Sequence, residues 1–91
     1  MNKSKLIEEF ALRERMHLNE AETIVNTFFN AIAQALTQDD GVEIRGFGSF
    51  KVKEYKSYSG RNPKTGESIE VKPKKLPVFK VGKALKERVD K

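Results

Sequence analysis

The spacing of apolar residues changes once along this chain, from a period near 3.6 before Gly41 to a period of 2 after it. Leu6, Ile7, Phe10 and Ala11 recur at helical spacing in a segment without Gly or Pro, which predicts a helix from about Lys3 to Arg13, capped by Asn2 or Ser4. A second helix is predicted to begin near Asn19, whose side chain can accept from the unpaired first amides, with Glu22 in the capping-box position. Asp39, Asp40 and Gly41 end it. Its apolar stripe is Ile24, Val25, Phe28, Phe29, Ile32 and Leu36, flanked by Ala21, Ala33 and Ala35. Phe28 and Phe29 point about 100° apart on a helix, so one short neighbouring helix covers both poorly. The breadth of the stripe predicts a core shared with a second subunit across a two-fold axis; the alternative is that the sheet of the same chain covers it.

After Gly41, Val42 and Ile44 alternate with Glu43 and Arg45, the run Gly46-Phe47-Gly48 interrupts, and Phe50 and Val52 resume against Ser49, Lys51 and Lys53. This predicts a hairpin with two glycines in its turn. Beyond about Glu54 neither face of the strand is apolar. A third strand, Ser68 to Lys72, carries Ile69 and Val71, and Pro73 and Pro77 punctuate the way back, after which Leu76, Val78 and Phe79 are expected to rejoin the core. Gly82 opens a last helix from Lys83 to about Asp90 with Ala84, Leu85 and Val89 as its apolar residues. The predicted fold is α+β in one domain. Residues 1–40 form a helical dimerisation region, 41–52 and 75–81 a three-stranded antiparallel sheet, 53–74 a two-stranded β-ribbon arm and 82–91 a short C-terminal helix.

A chain of 91 residues buries only about two-thirds of the surface its unfolded form exposes, so a partner subunit helps. Cysteine is absent, which excludes a disulfide framework, a thiolate nucleophile and a cysteine metal site. The longest uncharged stretch, Thr23 to Gln38, is short of the roughly 20 residues a membrane span needs. Glu8 and Glu9 in the first apolar segment do not fit a signal peptide, and the cytosol is the expected location.

The net charge of +5 is unevenly divided. Residues 1–41 hold 4 Lys/Arg and 7 Asp/Glu, net −3, whereas residues 42–91 hold 14 and 6, net +8. Such segregation points to a polyanion-binding face, with nucleic acid first and an anionic membrane surface second; a merely solvated lysine-rich surface is the plain alternative. The arm concentrates this charge: Lys53, Lys56, Arg61, Lys64, Lys72, Lys74 and Lys75 stand against Glu54, Glu67 and Glu70. An isolated hairpin is marginal in water, so an arm of this composition suits a surface on which it lies.

The tip reads Gly60-Arg61-Asn62-Pro63-Lys64-Thr65-Gly66-Glu67. A proline ring is a rigid apolar wedge with no N–H to leave unsatisfied, suited to sliding between two base pairs and bending the duplex. Arg61 and Asn62 can then bond minor-groove acceptors, with Lys64 and Thr65 beside them and within reach of the backbone. Alternatively Pro63 only shapes a turn that Lys64, Thr65 and Gly66 complete. Enzymatic chemistry has little support. His17 is the sole histidine and lies between the predicted helices, and the adjacent acids Glu8, Glu9 and Asp39, Asp40 fall on a helix surface and at a helix stop. Gly46-Phe47-Gly48 lacks the rest of a phosphate loop. No metal and no cofactor are implied.

Three stretches together, VEIRGFGSF (42–50), GRNPKTGE (60–67) and PVFKVGKALKERV (77–89), resemble the bacterial HU/IHF family of DNA-bending proteins in order and spacing, and the likeness includes the two N-terminal helices. The resemblance implies an intertwined dimer with a helical body and two arms that embrace double-stranded DNA, each placing its tip proline, here Pro63, between base pairs. It carries Arg61 and Asn62 to the minor groove. It carries Lys3 and Ser4 at the first helix start, and Lys80, Lys83, Ala84 and Lys86 near the last helix, to phosphates. Arg45 and Gly46 resemble the strand turn that touches flanking DNA in IHF-type subunits, and Lys53, Lys72, Lys74 and Lys75 complete the expected backbone set. The shared dimer core would comprise Phe28, Phe29, Ile32 and Leu36 with Phe47, Phe50 and Phe79. At Tyr55 and Tyr58 the chain departs from the many members that carry arginine there.

Within that family two arrangements are open: a homodimeric, HU-like nucleoid protein with little sequence preference, and a beta-type subunit of an IHF-like heterodimer that reads DNA shape. An RNA-binding module is the more distant alternative, although the aromatic sheet face used by single-strand readers is missing. A membrane-surface role has no helix pairing a basic face with a strongly apolar one.

Overall fold

A computed structural model of the protein describes residues 1–90, and the side chains of all of these except Tyr58 and Val71. The chain runs α1 (Lys3–Glu14), α2 (Leu18–Thr37), β1 (Val42–Ile44), β2 (Gly48–Tyr55), β3 (Tyr58–Arg61), β4 (Ser68–Val71), β5 (Lys74–Val81) and α3 (Lys83–Val89). It divides into two compact units, Met1–Ala35 and Leu36–Lys91. The last residue assigned to the C-terminal helical region by the sequence, Lys91, lies outside the described residues.

In the first unit α1 starts where Asn2 accepts the Lys5 N–H at 2.9 Å through its side chain. It ends at Arg15, held in the left-handed region at φ 52° so that its N–H reaches the Ala11 and Leu12 carbonyls. This closure is usually a glycine's. Here the strain is offset by Met16, whose N–H donates to the Ala11 carbonyl at 3.1 Å and whose side chain packs on the core. That core is Ile7, Ala11, Ala21 and Val25, with Phe10 also against it. Helix α2 begins at Leu18, one residue ahead of the sequence expectation. Asn19 is therefore inside the first turn, where its carbonyl accepts from the Thr23 hydroxyl at 3.1 Å, and the expected Asn19–Glu22 capping box does not form. The His17 carbonyl starts the helix instead, accepting the Ala21 N–H.

The second unit contains a three-stranded antiparallel sheet in the order β1-β2-β5 and a two-stranded sheet, β3-β4. β1 covers only Gly48–Phe50 of β2, while β5 pairs with all of β2 from Gly48↔Val81 to Tyr55↔Lys74. The sheet thus narrows to two strands from Lys51↔Val78 outward, closer to the body than the Lys53 boundary read from sequence. Since directly paired residues share a face, the register sorts the side chains. One face carries Val42, Ile44, Phe50, Val52, Pro77, Phe79 and Val81, and finishes with Glu54 and Lys75. The other carries Glu43, Ser49, Lys51, Lys53, Tyr55, Lys74, Leu76, Val78 and Lys80.

This assignment corrects the expectation for the returning strand. Of Leu76, Val78 and Phe79, only Phe79 lies on the apolar face, where its ring meets Phe50 at 4.9 Å and Phe47 at 5.5 Å between centroids. Leu76 and Val78 project among lysines, and both are exposed. Pro77 sits inside the strand rather than beside it, a position open to proline because β5 is an edge. Gly48 is required by close packing: a Cβ there would stand 2.5 Å from both the Lys80 carbonyl oxygen and the Phe79 ring.

Beyond Tyr55↔Lys74 the ladder stops, and it resumes at Tyr58↔Val71. Lys56–Ser57 and Lys72–Pro73 belong to no strand. Two residues are skipped on each side, so the arm keeps the register of the sheet across the gap. Pro73 has no N–H to offer a rung at this point.

Candidate nucleic-acid interface

The basic residues of the second unit are distributed by strand parity. Lys51, Lys53, Lys74 and Lys80 share the polar face of the β2-β5 ribbon. Tyr55 lies among them, with the Lys53 ammonium 5.3 Å and the Lys74 ammonium 5.9 Å from its ring centroid. Lys51 was not among the expected contacts, yet it stands two positions before Lys53 on the same strand face, a spacing visible in sequence. The side chain of Tyr58, the other aromatic departure from the family pattern, lies outside the described residues.

Lys75, although adjacent to Lys74, takes the opposite face and a different environment. Its Nζ lies 2.9 Å from Asp39 Oδ2 and 3.6 Å from Glu54 Oε1. The hydrogen bond to Asp39, then the Asp39 charge, hold its pKa above the ordinary lysine value, with Glu54 adding to the effect and desolvation opposing it. Seven cations expected to act together are thus divided: Lys53 and Lys74 on the ribbon's polar face, Lys75 in an ion triad on the other, Lys56 and Lys72 at the break, and Arg61 and Lys64 toward the tip.

The tip is built around Asn62. Its N–H donates to the Glu67 carbonyl at 2.8 Å, and its carbonyl accepts the Gly66 N–H at 2.7 Å, closing the loop Pro63-Lys64-Thr65-Gly66. Its side-chain oxygen accepts the Lys64 N–H at 2.9 Å, an Asx turn that encloses Pro63. The Thr65 hydroxyl accepts the Glu67 N–H at 3.4 Å. Gly66 sits at φ +73°, where a Cβ would be strained. The Asx turn uses the Asn62 oxygen and leaves its NH₂ to donate, and the minor-groove edge of an A·T pair presents acceptors. Pro63 itself is exposed, as are Arg61, Lys64 and Thr65.

The remaining expected contacts lie elsewhere. Arg45 and Gly46 are exposed in the β1–β2 turn, which Phe47 closes by donating its N–H to the Ile44 carbonyl at 3.0 Å. Lys80 ends near Gly82, which opens α3 without a side-chain cap, leaving the first-turn amides of Lys83 and Ala84 without intrahelical partners. Lys83 lies 3.9 Å from Glu87 and Lys86 follows on the same side. Lys3 and Ser4 belong to the helical unit, where Lys3 Nζ donates to Asn26 Oδ1 at 3.0 Å. Among the described residues no cluster of His, Cys, Asp or Glu could hold a metal ion, and no helix is long and apolar enough to cross a membrane.

The residues expected in a shared core are incompletely covered. Ile32 is buried and Leu36 and Phe50 half-buried, but Phe28 is 51% exposed, and Phe29, Phe47 and Phe79 are open to a similar degree. Leu6, Phe10, Ile24, Val25, Phe28 and Phe29 line an apolar groove within the helical unit.

Comparison with known proteins places this arrangement. The model of the family described as bacterial DNA-binding protein matches residues 1–90. DNA-binding protein HU-1 of Halalkalibacterium halodurans is 47% identical over 89 residues, covering 98% of this chain and 99% of that protein. Among solved structures, the Anabaena HU–DNA cocrystal structure superposes with a TM-score of 0.86 at 35% identity, over 98% of this chain and 97% of that one. HU from Thermotoga maritima follows with a TM-score of 0.71 at 32% identity and 98% coverage of both chains. The helices, the antiparallel sheet and the ribbon are the HU fold, and the chain belongs to the bacterial DNA-binding protein family.

Proposed function

We propose that this protein is an HU-like architectural component of the bacterial nucleoid, working in the cytoplasm as a dimer that binds duplex DNA with little sequence preference and bends it. The observation that carries the reading is the tip: an exposed proline, enclosed by an Asx turn and flanked by Arg61 and Lys64, at the end of a two-stranded basic ribbon. In the minor groove, Pro63 enters between two base pairs while Arg61 and the Asn62 amide donate to base acceptors. The two roles considered for Pro63 are then compatible, because the turn that it helps to shape is what presents its ring. Lys53, Lys74, Lys80, Lys83 and Lys86 neutralise phosphates and supply the affinity, through counterion release, that the bend requires.

The open apolar surfaces support self-association. Phe28 and Phe29 pack edge to face at 5.4 Å and remain half exposed, and the Phe47–Phe79–Phe50 cluster is open on the sheet. A second copy that covers both would complete a core that one chain leaves unfinished.

The test is energy transfer between dyes on the ends of a short duplex of arbitrary sequence, titrated with this chain alone at two salt concentrations, with the mass of the free protein measured alongside. A dimer that draws the ends together, less so at high salt, is the expected result. A folded chain that leaves the ends apart until a related subunit is added would support an IHF-like heterodimer instead. Equal affinity for RNA at the same salt would overturn the architectural reading.

A further inference from the structure

We infer that Tyr55 is a positioning residue that gathers Lys53 and Lys74 into a single two-cation phosphate site on the ribbon's polar face. The inference rests on the DNA-binding reading above. Lys53 and Tyr55 are two apart on β2, and Lys74 stands directly across from Tyr55 on β5, so all three project from the same side. The two ammonium groups lie 5.3 Å and 5.9 Å from one ring centroid. Lys53 and Lys74 are diagonal neighbours on the strand pair, where like charges disfavour one another, and an electron-rich ring within reach of both offsets that repulsion.

The neighbouring lysine shows why a ring suits this role. Lys75 is held by the Asp39 and Glu54 carboxylates, and to meet a phosphate it must first break those ion pairs. An ammonium over an aromatic face surrenders no hydrogen bond to it and keeps its N–H donors for phosphate oxygens. A free lysine stem also loses much rotamer freedom when it is fixed on a ligand, and a ring that already restricts it lessens that loss. Around Tyr55 the polar face therefore presents two cations outside any ion pair among the described residues, while the carboxylates on the opposite face keep Lys75 out of the set.

The measurement is the affinity of the full-length protein for a short duplex at two salt concentrations, for the wild type, Tyr55→Phe, Tyr55→Leu, Lys53→Ala with Lys74→Ala, and that double variant combined with Tyr55→Leu. Phe keeps the ring and should bind within about twofold of wild type. Leu should weaken binding about three- to tenfold, the scale of exposed cation–π contacts. In the background lacking both lysines, the same Tyr55→Leu change should have no effect beyond about twofold. A Leu variant that binds like wild type overturns the inference, as does an equal loss with and without the lysines, which would mean that the ring touches DNA itself. Tyr55→Thr, which retains strand propensity, replaces Leu if thermal melting shows that Leu has disturbed the sheet. A wild-type chain that fails to bind duplex overturns the proposed function as well, so the two failures are distinguishable.

Discussion

Residues 1–35 and residues 36–91 differ in how each holds together. Every buried hydrophobic side chain among the described residues, Ile7, Ala11, Ala21, Val25 and Ile32, lies in the first unit. The second unit has Phe47, Phe79, Val81, Leu76, Val78 and Ile69 between 37% and 44% exposed, and most of the chain's basic residues. Its backbone is well satisfied by strand pairing while its side chains are not yet packed. The first unit has an interior of its own beside the half-exposed Phe28 and Phe29, whereas none of the second unit's described hydrophobic side chains is buried. Net charge follows the same division, because lysines can be accumulated where no core has to be built around them.

The sharpest test of this contrast is a matched pair of isoleucine truncations. Ile7→Ala should destabilise the protein by about 2–4 kcal/mol in chemical denaturation, the cost of a core cavity. Ile69→Ala, in the arm, should change it by less than about 0.5 kcal/mol. Equal destabilisation by the two would show that the arm belongs to the cooperative core and would end the distinction.

Within the basic unit, Pro63→Ala should leave the melting temperature unchanged and reduce bending, read by end-to-end energy transfer, more than it reduces affinity. Equal bending by the variant would remove intercalation from the reading. A smaller effect is expected from replacing Lys83 and Lys86 by Ala. Affinity should fall at all sequences, and the slope of log affinity against log salt should flatten by about 0.9 for each phosphate no longer neutralised. An unchanged slope would assign the phosphates to other residues.

The smallest effect belongs to Lys75. Pairing raises its pKa in the folded state, chiefly through the Asp39 hydrogen bond, so its contribution to stability is complete below the unfolded lysine value of about 10.4 and is lost as pH rises through the folded value. Lys75→Met should therefore lower stability by a constant, salt-screened amount between pH 6 and 9, in about the range where lysine is fully charged. The gap to wild type should close only in strongly alkaline solution. A gap that instead changes between pH 6 and 9 would trace the effect to another group.

Much of this architecture is legible from residue patterns, because the two periods report directly on backbone geometry. The helices, the hairpin at Gly46 and the return through Ile69 all follow from that signal. Patterns fail where a run of apolar residues hides its parity. Leu76-Pro77-Val78-Phe79 reads as one apolar segment, and only the pairing with Val52 and Phe50 shows that Leu76 and Val78 lie with the lysines. Asn19 has the composition of a cap, but the chain leaving Arg15 and Met16 already begins the helix at Leu18, and tertiary packing of Met16 outweighs that local preference. At the site, Pro63 and its neighbours are apparent from composition. The separation of Lys74 from Lys75 follows from strand alternation alone, but the meeting of Lys53 and Lys74 at Tyr55 depends on cross-strand register, which a single strand's sequence does not carry.

The interruption between Tyr55↔Lys74 and Tyr58↔Val71 omits rungs without inserting or deleting a residue. A bulge at this point would have rotated everything beyond it and turned the tip to a new heading. Across this gap the two faces of the ribbon instead stay in rotational phase, like two shafts keyed to the same mark. On the intercalating role proposed for Pro63, this shared phase fixes which edge of the proline leads, because the tip inherits its facing from β2 and β5.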